Sequence, residues 1–387
     1  MKKVVIGMSG GVDSSVAAYL LKQQGYEVVG LFMKNWDDAS VTLTSSCTWE
    51  DDLMFAEMVS KKLDIPLYTV DLTKQYKQRV VDYMFAEYEK GRTPNPDVLC
   101  NREIKFDIFI DECLKLGDYV ATGHYCRKET IQVDGKETHR LLAGKDPNKD
   151  QSYFLCQLSQ EQISKVLFPI GELLKPEVRE IAEREGLATA TRKDSQGICF
   201  VGKVDLPTFL QQKLEAKKGD IIEIPESYYE SLDKTDELTD ISKAHQYKRD
   251  DGKVLAEHKG AHFYTIGQRK GLNIGGTGKP MYVIAIDVEE NIVYVGRGDD
   301  LPGLYRKALF ISVDEVHWVR PDLKLETEES KDFLVRIRYR QPLQKGILIA
   351  KPEGFYIEFD KPQRGIAPGQ FAAWYDQDEL IGSGVIN

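Results

Sequence analysis

The sequence predicts an α/β chain, a doubly wound parallel-sheet domain followed by two smaller β-rich modules, the last a β-barrel. Three observations carry that prediction. Short apolar runs recur at Lys3 to Met8, Glu27 to Met33, Pro66 to Leu72 and Asp118 to Tyr125, and such runs without polar alternation belong to strands buried on both faces. The stretches between them, Ser14 to Gln24, Trp49 to Leu63, Lys74 to Glu89 and Ile104 to Leu116, space their apolar residues by three and four, as crossover helices covering a sheet do. Beyond about residue 205 the pattern changes to β-type runs broken by Gly, Pro and Asp, among them MYVIAIDVEENIVYVG, FLVRIRYR and GFYIEFD.

The first strand runs into Ser9-Gly10-Gly11-Val12-Asp13-Ser14, and a helical pattern follows at once. A glycine turn between strand and helix lets the backbone approach an anion while the free N–H groups of the helix start point at it. The serines add hydroxyl donors, and Asp13 is placed either to hold a magnesium ion or to orient a donor. Strand ends are also where open sheets bind ligands. The loop lacks the lysine of G-x-x-x-x-G-K-[ST], so nucleotidyl transfer fits it better than γ-phosphate transfer. An ordinary serine-capped turn would need none of this specificity.

Later elements are read the same way. Pro176 opens and Gly186 closes a helix over PEVREIAEREG, which belongs with the first domain. The expected domains are 1–205, 206–280 and 281–387. Within the second, a polar stretch at about 225–250 without apolar period reads as an inserted loop.

Composition bounds the function. With 387 residues and 42% hydrophobic content the chain can bury a substantial core. No run approaches the roughly 18 apolar residues of a membrane helix, and MKKVVIGM is too short to be a signal peptide; a cytoplasmic enzyme without a membrane partner is expected. The six cysteines form no C-x-x-C pair, against a zinc ribbon or disulfide framework. A net charge of −10 means that any RNA would be held by local basic faces.

Two cysteines stand in reactive settings. Cys100 lies near a helix start in NPDVLCNREIKF, where the dipole favours thiolate, and Asp97 three residues earlier is within reach as a proton acceptor or donor. Cys199 follows a polar loop with Arg192 and Lys193 nearby. Cys113 and Cys156 read instead as small core hydrophobes. In VRIRYRQ, Arg336, Arg338 and Arg340 alternate with apolar residues, so a strand would project all three from one face as a phosphate track. Arg269 and Lys270 of IGQRKG are further phosphate candidates.

The SGGVDS loop resembles the pyrophosphate-loop signature of ATP pyrophosphatases, which activate a carbonyl oxygen as an adenylate. With NPDVLCN, ATGHY, KDQSYFL, DSQGICF and YTIGQRKGL in order, the chain resembles the bacterial tRNA-specific 2-thiouridylases from residue 4 nearly to its C-terminus. That resemblance implies ATP with Mg2+, whose ligands the sequence does not fix, a tRNA with a wobble uridine, and a persulfide sulfur-donor protein. AMP would pass to the C2 carbonyl oxygen and sulfur would replace it. Cys199 would carry the persulfide, Cys100 would act as the nucleophile that frees sulfide or resolves the intermediate as a Cys100–Cys199 disulfide, with either free sulfide or the persulfide itself making the attack, and Asp97 would shuttle the proton.

The resemblance further implies that Gly7, Met8, Ser9, Gly10, Gly11, Val12, Asp13 and Ser14 surround the ATP phosphates, with Met33 and Gly123 at the adenine and ribose. Asn95, Pro96 and Asp97 would meet a base swung out of the anticodon loop. His124, Lys149, Asp150, Gln151, Arg338, Tyr339 and Gln370 would contact tRNA, although a lone histidine at a strand end is more often structural. One departure is the stretch of about 25 residues, acidic from Glu226 to Asp240, that separates GDIIEI from DGKVLAEHKGAHFYTIGQRKGL. Two other classes stay open. A different adenylating ligase would keep its activity without the two thiols, and an ATP-gated RNA-binding protein would bind tRNA without releasing pyrophosphate.

Overall fold

The Val4-Val5-Ile6 triplet is fully buried at the centre of the first sheet, as β-branched residues on a two-sided strand should be. The structure is a computed structural model that describes residues 2–36, 49–194, 206–232, 235–272, 274–275 and 278–387. Among these residues the strands form sheets of five, four and nine strands. The first runs in the order Leu67–Asp71, Glu27–Lys34, Lys3–Met8, Tyr119–Ala121, Val166–Leu167, every pair parallel. The order reverses between Lys3–Met8 and Tyr119–Ala121, and a doubly wound sheet opens its ligand crevice at such a point.

Helices cover this sheet where the apolar spacing puts them. Val12–Gln23 turns Val16, Ala17, Ala18 and Leu21 inward. It ends in a Schellman motif: Gly25 takes φ 83°, its N–H reaches Lys22 O at 3.1 Å, and Tyr26 N–H reaches Leu21 O at 3.2 Å. Lys175–Arg184 carries Pro176 in its first turn and closes at Gly186, φ 60°. The region expected to be helical from Ile104 starts earlier. A continuous helical run comprises Pro96–Cys100, a π-helical stretch Asn101–Ile108 kinked at Phe106, and Phe109–Leu114.

The structure corrects several expectations beyond the first sheet. The strands Met281–Asp287 and Ile292–Arg297 join Gly219–Glu223 and Lys253–His258 in the central sheet. A boundary at 280 therefore cuts this sheet, because the Ile292–Arg297 strand lies parallel against Gly219–Glu223. The 225–250 stretch holds short helices at Ser227–Glu230 and Leu238–Ile241 and buries Tyr247 against Tyr294. Arg306, at the edge of the last module, donates to Ser242 O at 2.8 Å and fastens the stretch there.

In the last module Ser330–Arg336 is a strand, but it stops at Arg336, so Arg338 and Arg340 do not continue a shared face. Arg336 instead pairs with buried Asp150 at 3.0 Å, and Arg338 folds back onto Gly365 O. Alternation alone had suggested an exposed row. A buried carboxylate captured the first arginine, and the chain turned before the other two.

The hairpin Cys126–Val133 with Lys136–Ala143 leaves the first domain and pairs with Glu379–Val385 of the nine-stranded sheet. Arg140 reaches Glu379 at 2.7 Å, and Glu379 also meets Arg320. One core then runs continuously from Val5 and Tyr76 through Cys100 and Tyr153 to Phe371, Tyr375 and Val385. Each buried side chain of Phe371 type contributes roughly 1.5–3 kcal/mol, so the barrel is fixed to the first domain by packing. Among the described residues no helix is long and apolar enough to cross a membrane.

Candidate active site

The Ser9–Gly11 turn connects the central strand to Val12–Gln23. Gly11 is the N-cap and supplies no side chain, so the first helical N–H groups have no side-chain cap. Ser14 Oγ receives the Ser9 N–H at 3.2 Å, and Ser15 Oγ donates to Gly11 O at 2.8 Å, which holds the turn closed on itself. Gly10 takes φ 70°, and a Cβ there would lie 2.2 Å from Asp52 O. A Cβ at Gly123 would lie 2.8 Å from Ser14 N. Both glycines are therefore required by close backbone approach around a bare helix N-terminus, an arrangement that fits the phosphates of ATP. Gly7 packs on Phe109, while Met8, Val12 and Met33 are buried.

The cations that sequence reading missed come from elsewhere in the domain. Lys175, only 8% exposed, donates to Asp13 at 2.7 Å and pairs with Asp194 at 2.8 Å. Arg192 donates to Gly10 O at 2.7 Å and pairs with Asp52 at 2.8 Å. A signal for Lys175 was present: an ammonium at a helix N-terminus opposes the dipole and needs a compensating reason. Burial opposes ionisation of Asp194, yet hydrogen bonds from Lys149 and Lys175 overcome it and hold the carboxyl down at about 2. Beside this cluster an open groove of about 580 Å³ is lined in part by Asp146, Lys149, Lys175 and Arg179.

Asp13 lies at the start of the helix, facing two donors. Its carboxylate accepts from Lys175 and from Tyr125 OH at 2.8 Å. Among the described residues no group of three or more His, Cys, Asp or Glu is placed to hold a metal ion by protein side chains alone, whereas Mg2+ that enters with ATP needs only one or two carboxylates beside the phosphates.

The helix bearing Cys100 begins at Asn95, whose Oδ1 accepts from Val98 N–H at 3.2 Å, with Pro96 in the first turn. Cys100 is fully buried, five residues into the helical run. Asp97 sits one turn before, its carbonyl accepting from Asn101 Nδ2 at 2.9 Å. Cys199 lies outside the described residues, so its expected pairing with Cys100 does too. Of the charges expected beside it, Arg192 is already committed to Gly10 and Asp52. Cys113, Cys126 and Cys156 are buried; burial pushes the Cys156 thiol up to about 12.

The remaining sequence-predicted residues divide by exposure. His124 is buried with Nδ1 2.9 Å from Thr122 Oγ1 and its ring against Phe106. Burial, and then Lys105, drive its pKa well below the usual histidine value. Asp150 is buried and accepts from Gly144 N–H at 3.2 Å, Ser152 N–H at 3.0 Å and Arg336. Both residues are therefore mostly withdrawn from solvent, with His124 8% and Asp150 6% exposed. Lys149 is half-buried and bonded to Asp194, and Gln151 accepts from Tyr125 N–H at 3.0 Å. Tyr339 stacks on Phe154 with ring centroids 4.2 Å apart. Gln370 faces Thr93, Pro94 and Asn95, while Arg269 and Lys270 are exposed.

A parallel sheet with a glycine turn at its central strand, a bare helix start and no lysine within the turn defines an ATP-binding domain of the pyrophosphate-loop class. The family model described as "tRNA methyl transferase HUP domain" matches residues 2–203, "tRNA methyl transferase PRC-barrel domain" matches 239–297, and "Aminomethyltransferase beta-barrel domain" matches 309–386. The tRNA-specific 2-thiouridylase MnmA of Christiangramia forsetii is 61% identical over 395 aligned residues, covering 100% of each chain. That of Flavobacterium johnsoniae is 60% identical with the same coverage. The chain belongs to the tRNA-specific 2-thiouridylase family. Among solved structures, the NMN synthetase of Francisella tularensis aligns with 53% of this chain and 71% of its own at 16% identity, TM-score 0.33.

Proposed function

We infer that this tRNA-thiolating enzyme spends ATP to activate the C2 carbonyl oxygen of the wobble uridine and replaces that oxygen with sulfur delivered as a cysteine persulfide. The uridine oxygen attacks the α-phosphorus and pyrophosphate leaves, which turns a poor leaving group into AMP. Gly7 to Ser14 hold the phosphates, with Met33 and Gly123 toward the nucleoside. Lys175 and Arg192 supply positive charge that stabilises the departing pyrophosphate.

For sulfur transfer, a donor protein leaves a persulfide on Cys199. The Cys100 thiolate attacks the Cys199 sulfur, a disulfide forms, and hydrosulfide is released to add at C2 and expel AMP. Asp97 accepts or returns the proton. A thiol reductant then restores both cysteines. Asn95, Pro96 and Asp97 receive the flipped base, and Lys149, Gln151, Arg338 and Tyr339 flank the RNA. The enzyme works in the cytoplasm, where its tRNA and sulfur donor are found.

The observation that carries this reading is the bare N-terminus at Gly11 with Lys175 and Arg192 beside it, a seat for pyrophosphate without a Walker lysine. Incubation with tRNA, Mg-ATP and a persulfide source, then mass analysis of nucleosides, tests it. One oxygen-to-sulfur exchange in uridine is expected, lost in Cys100→Ser and in Cys199→Ser. Exchange that persists in both variants overturns the thiol roles.

A further inference from the structure

Within its own stretch of chain the segment from Thr93 to Asn95 has one backbone hydrogen bond, Leu99 N–H to Asn95 O at 3.2 Å. Thr93 N–H donates to Pro368 O at 2.8 Å, and Pro94 has no N–H to offer. The carbonyls of Thr93 and Pro94 both accept from Gln370 Nε2, at 3.0 and 3.3 Å. Gln370 Oε1 in turn accepts from Asn95 Nδ2 at 3.3 Å, while Asn95 Oδ1 caps the helix that carries Cys100. Because buried backbone groups must find partners, the shape of this loop is set from outside, by the barrel.

Other contacts converge on the same place. A Cβ on Gly369 would lie 3.0 Å from Thr93 N, so the barrel loop touches the segment backbone to backbone. Thr93 Oγ1 reaches Thr265 Oγ1 of the central module at 3.3 Å, and Arg92 reaches Asn387 Oδ1 at 3.1 Å. All three modules therefore meet at residues 92–95, one turn ahead of Asp97 and Cys100.

We propose that Gln370 is a positioning residue: through its amide the barrel fixes the Thr93–Asn95 loop and with it the helix start that presents Asp97 and Cys100. The importance of those two residues rests on the function proposed above. Donating to two carbonyls commits both N–H groups of the amide to the loop, and its oxygen already accepts from Asn95.

The test uses the full chain with Gln370→Met, similar in length but without either hydrogen-bonding end, and Thr265→Val on the central side. One readout needs neither tRNA nor ATP: the rate at which iodoacetamide alkylates Cys100, followed by peptide mass spectrometry. Loosening the loop is expected to raise that rate about tenfold in Gln370→Met, through more frequent local opening, and by less in Thr265→Val. The second readout is single-turnover thiolation, in which the maximal rate is expected to fall about tenfold or more with the tRNA KM unchanged. Should Gln370→Met fail to fold, Gln370→Asn, whose amide falls short of Thr93 O, takes its place. A raised tRNA KM with unchanged maximal rate and unchanged Cys100 alkylation overturns the proposal and makes Gln370 an RNA contact. The alkylation result stands whatever becomes of the thiolation reading.

Discussion

Lys175 Nζ lies 2.7 and 2.9 Å from the two carboxylate oxygens of Asp13. The pair brings the first residue of a late helix onto the phosphate turn, more than 160 positions earlier in the chain. A pyrophosphate entering the turn would give the ammonium a stronger, multiply charged partner. Lys175→Met is therefore expected to lower tRNA-dependent pyrophosphate release about 100-fold, with Lys175→Arg keeping part of the rate. A release assay that finds both variants at the wild-type rate would leave Lys175 with a structural role alone.

Gly123 and Gly25 separate two uses of glycine. At Gly123 an added Cβ meets Ser14 N at 2.8 Å, whereas at Gly25 it meets nothing within 4 Å and only the positive φ matters. Gly123→Ala should weaken ATP binding in calorimetry by about tenfold or more, since the helix start must move. Gly25→Ala should cost about 1 kcal/mol of stability and leave ATP affinity alone.

Arg336→Met tests whether that arginine grips phosphate. With the guanidinium gone, Asp150 keeps a buried charge without its partner, so thermal stability should drop by about 3 kcal/mol. The dependence of tRNA affinity on salt should stay as it was, because a lost phosphate contact would reduce its slope by about one. A shallower slope with unchanged stability would restore the phosphate track.

All six histidines have pKa values held below the ordinary one, in each case chiefly by burial. The unfolded chain thus takes up protons that the folded chain refuses. Their contribution is complete above pH about 6.5 and is lost as pH falls below it. For His124, the most deeply buried, the loss is about 1.4 kcal/mol per pH unit. Urea midpoints taken between pH 8 and 5.5 should fall on the acid side, and less so in His124→Gln. Midpoints constant across that range would refute the assignment.

How much of this could be read beforehand follows from where each interaction lies in the chain. The strand and helix patterns of the first 90 residues and the SGGVDS turn are local, and local spacing located them. The Pro176–Gly186 helix carried its punctuation within a dozen residues. Lys175 on Asp13, Arg336 on Asp150 and Gln370 on Thr93 are pairings across the fold, and no window of sequence contains both partners. The arginine row failed for the same reason: alternation near Arg336 is a local signal, and the carboxylate that captures it lies 186 residues away. The 280 boundary failed because the strand that pairs with Gly219–Glu223 comes some 70 positions later.

The hairpin at residues 126–143 lends its edge to a strand that the ribosome makes more than 200 residues later. During synthesis the early module must therefore wait, with Leu141 and Leu142 lacking the neighbour they will have at Glu379 and Leu380. A nascent chain stalled before that point exposes an unpaired strand edge, the kind of surface on which aggregation begins. Chaperone demand should peak late in translation, and truncations that remove residues 371–385 should yield insoluble protein even though every residue of the nucleotide turn is present.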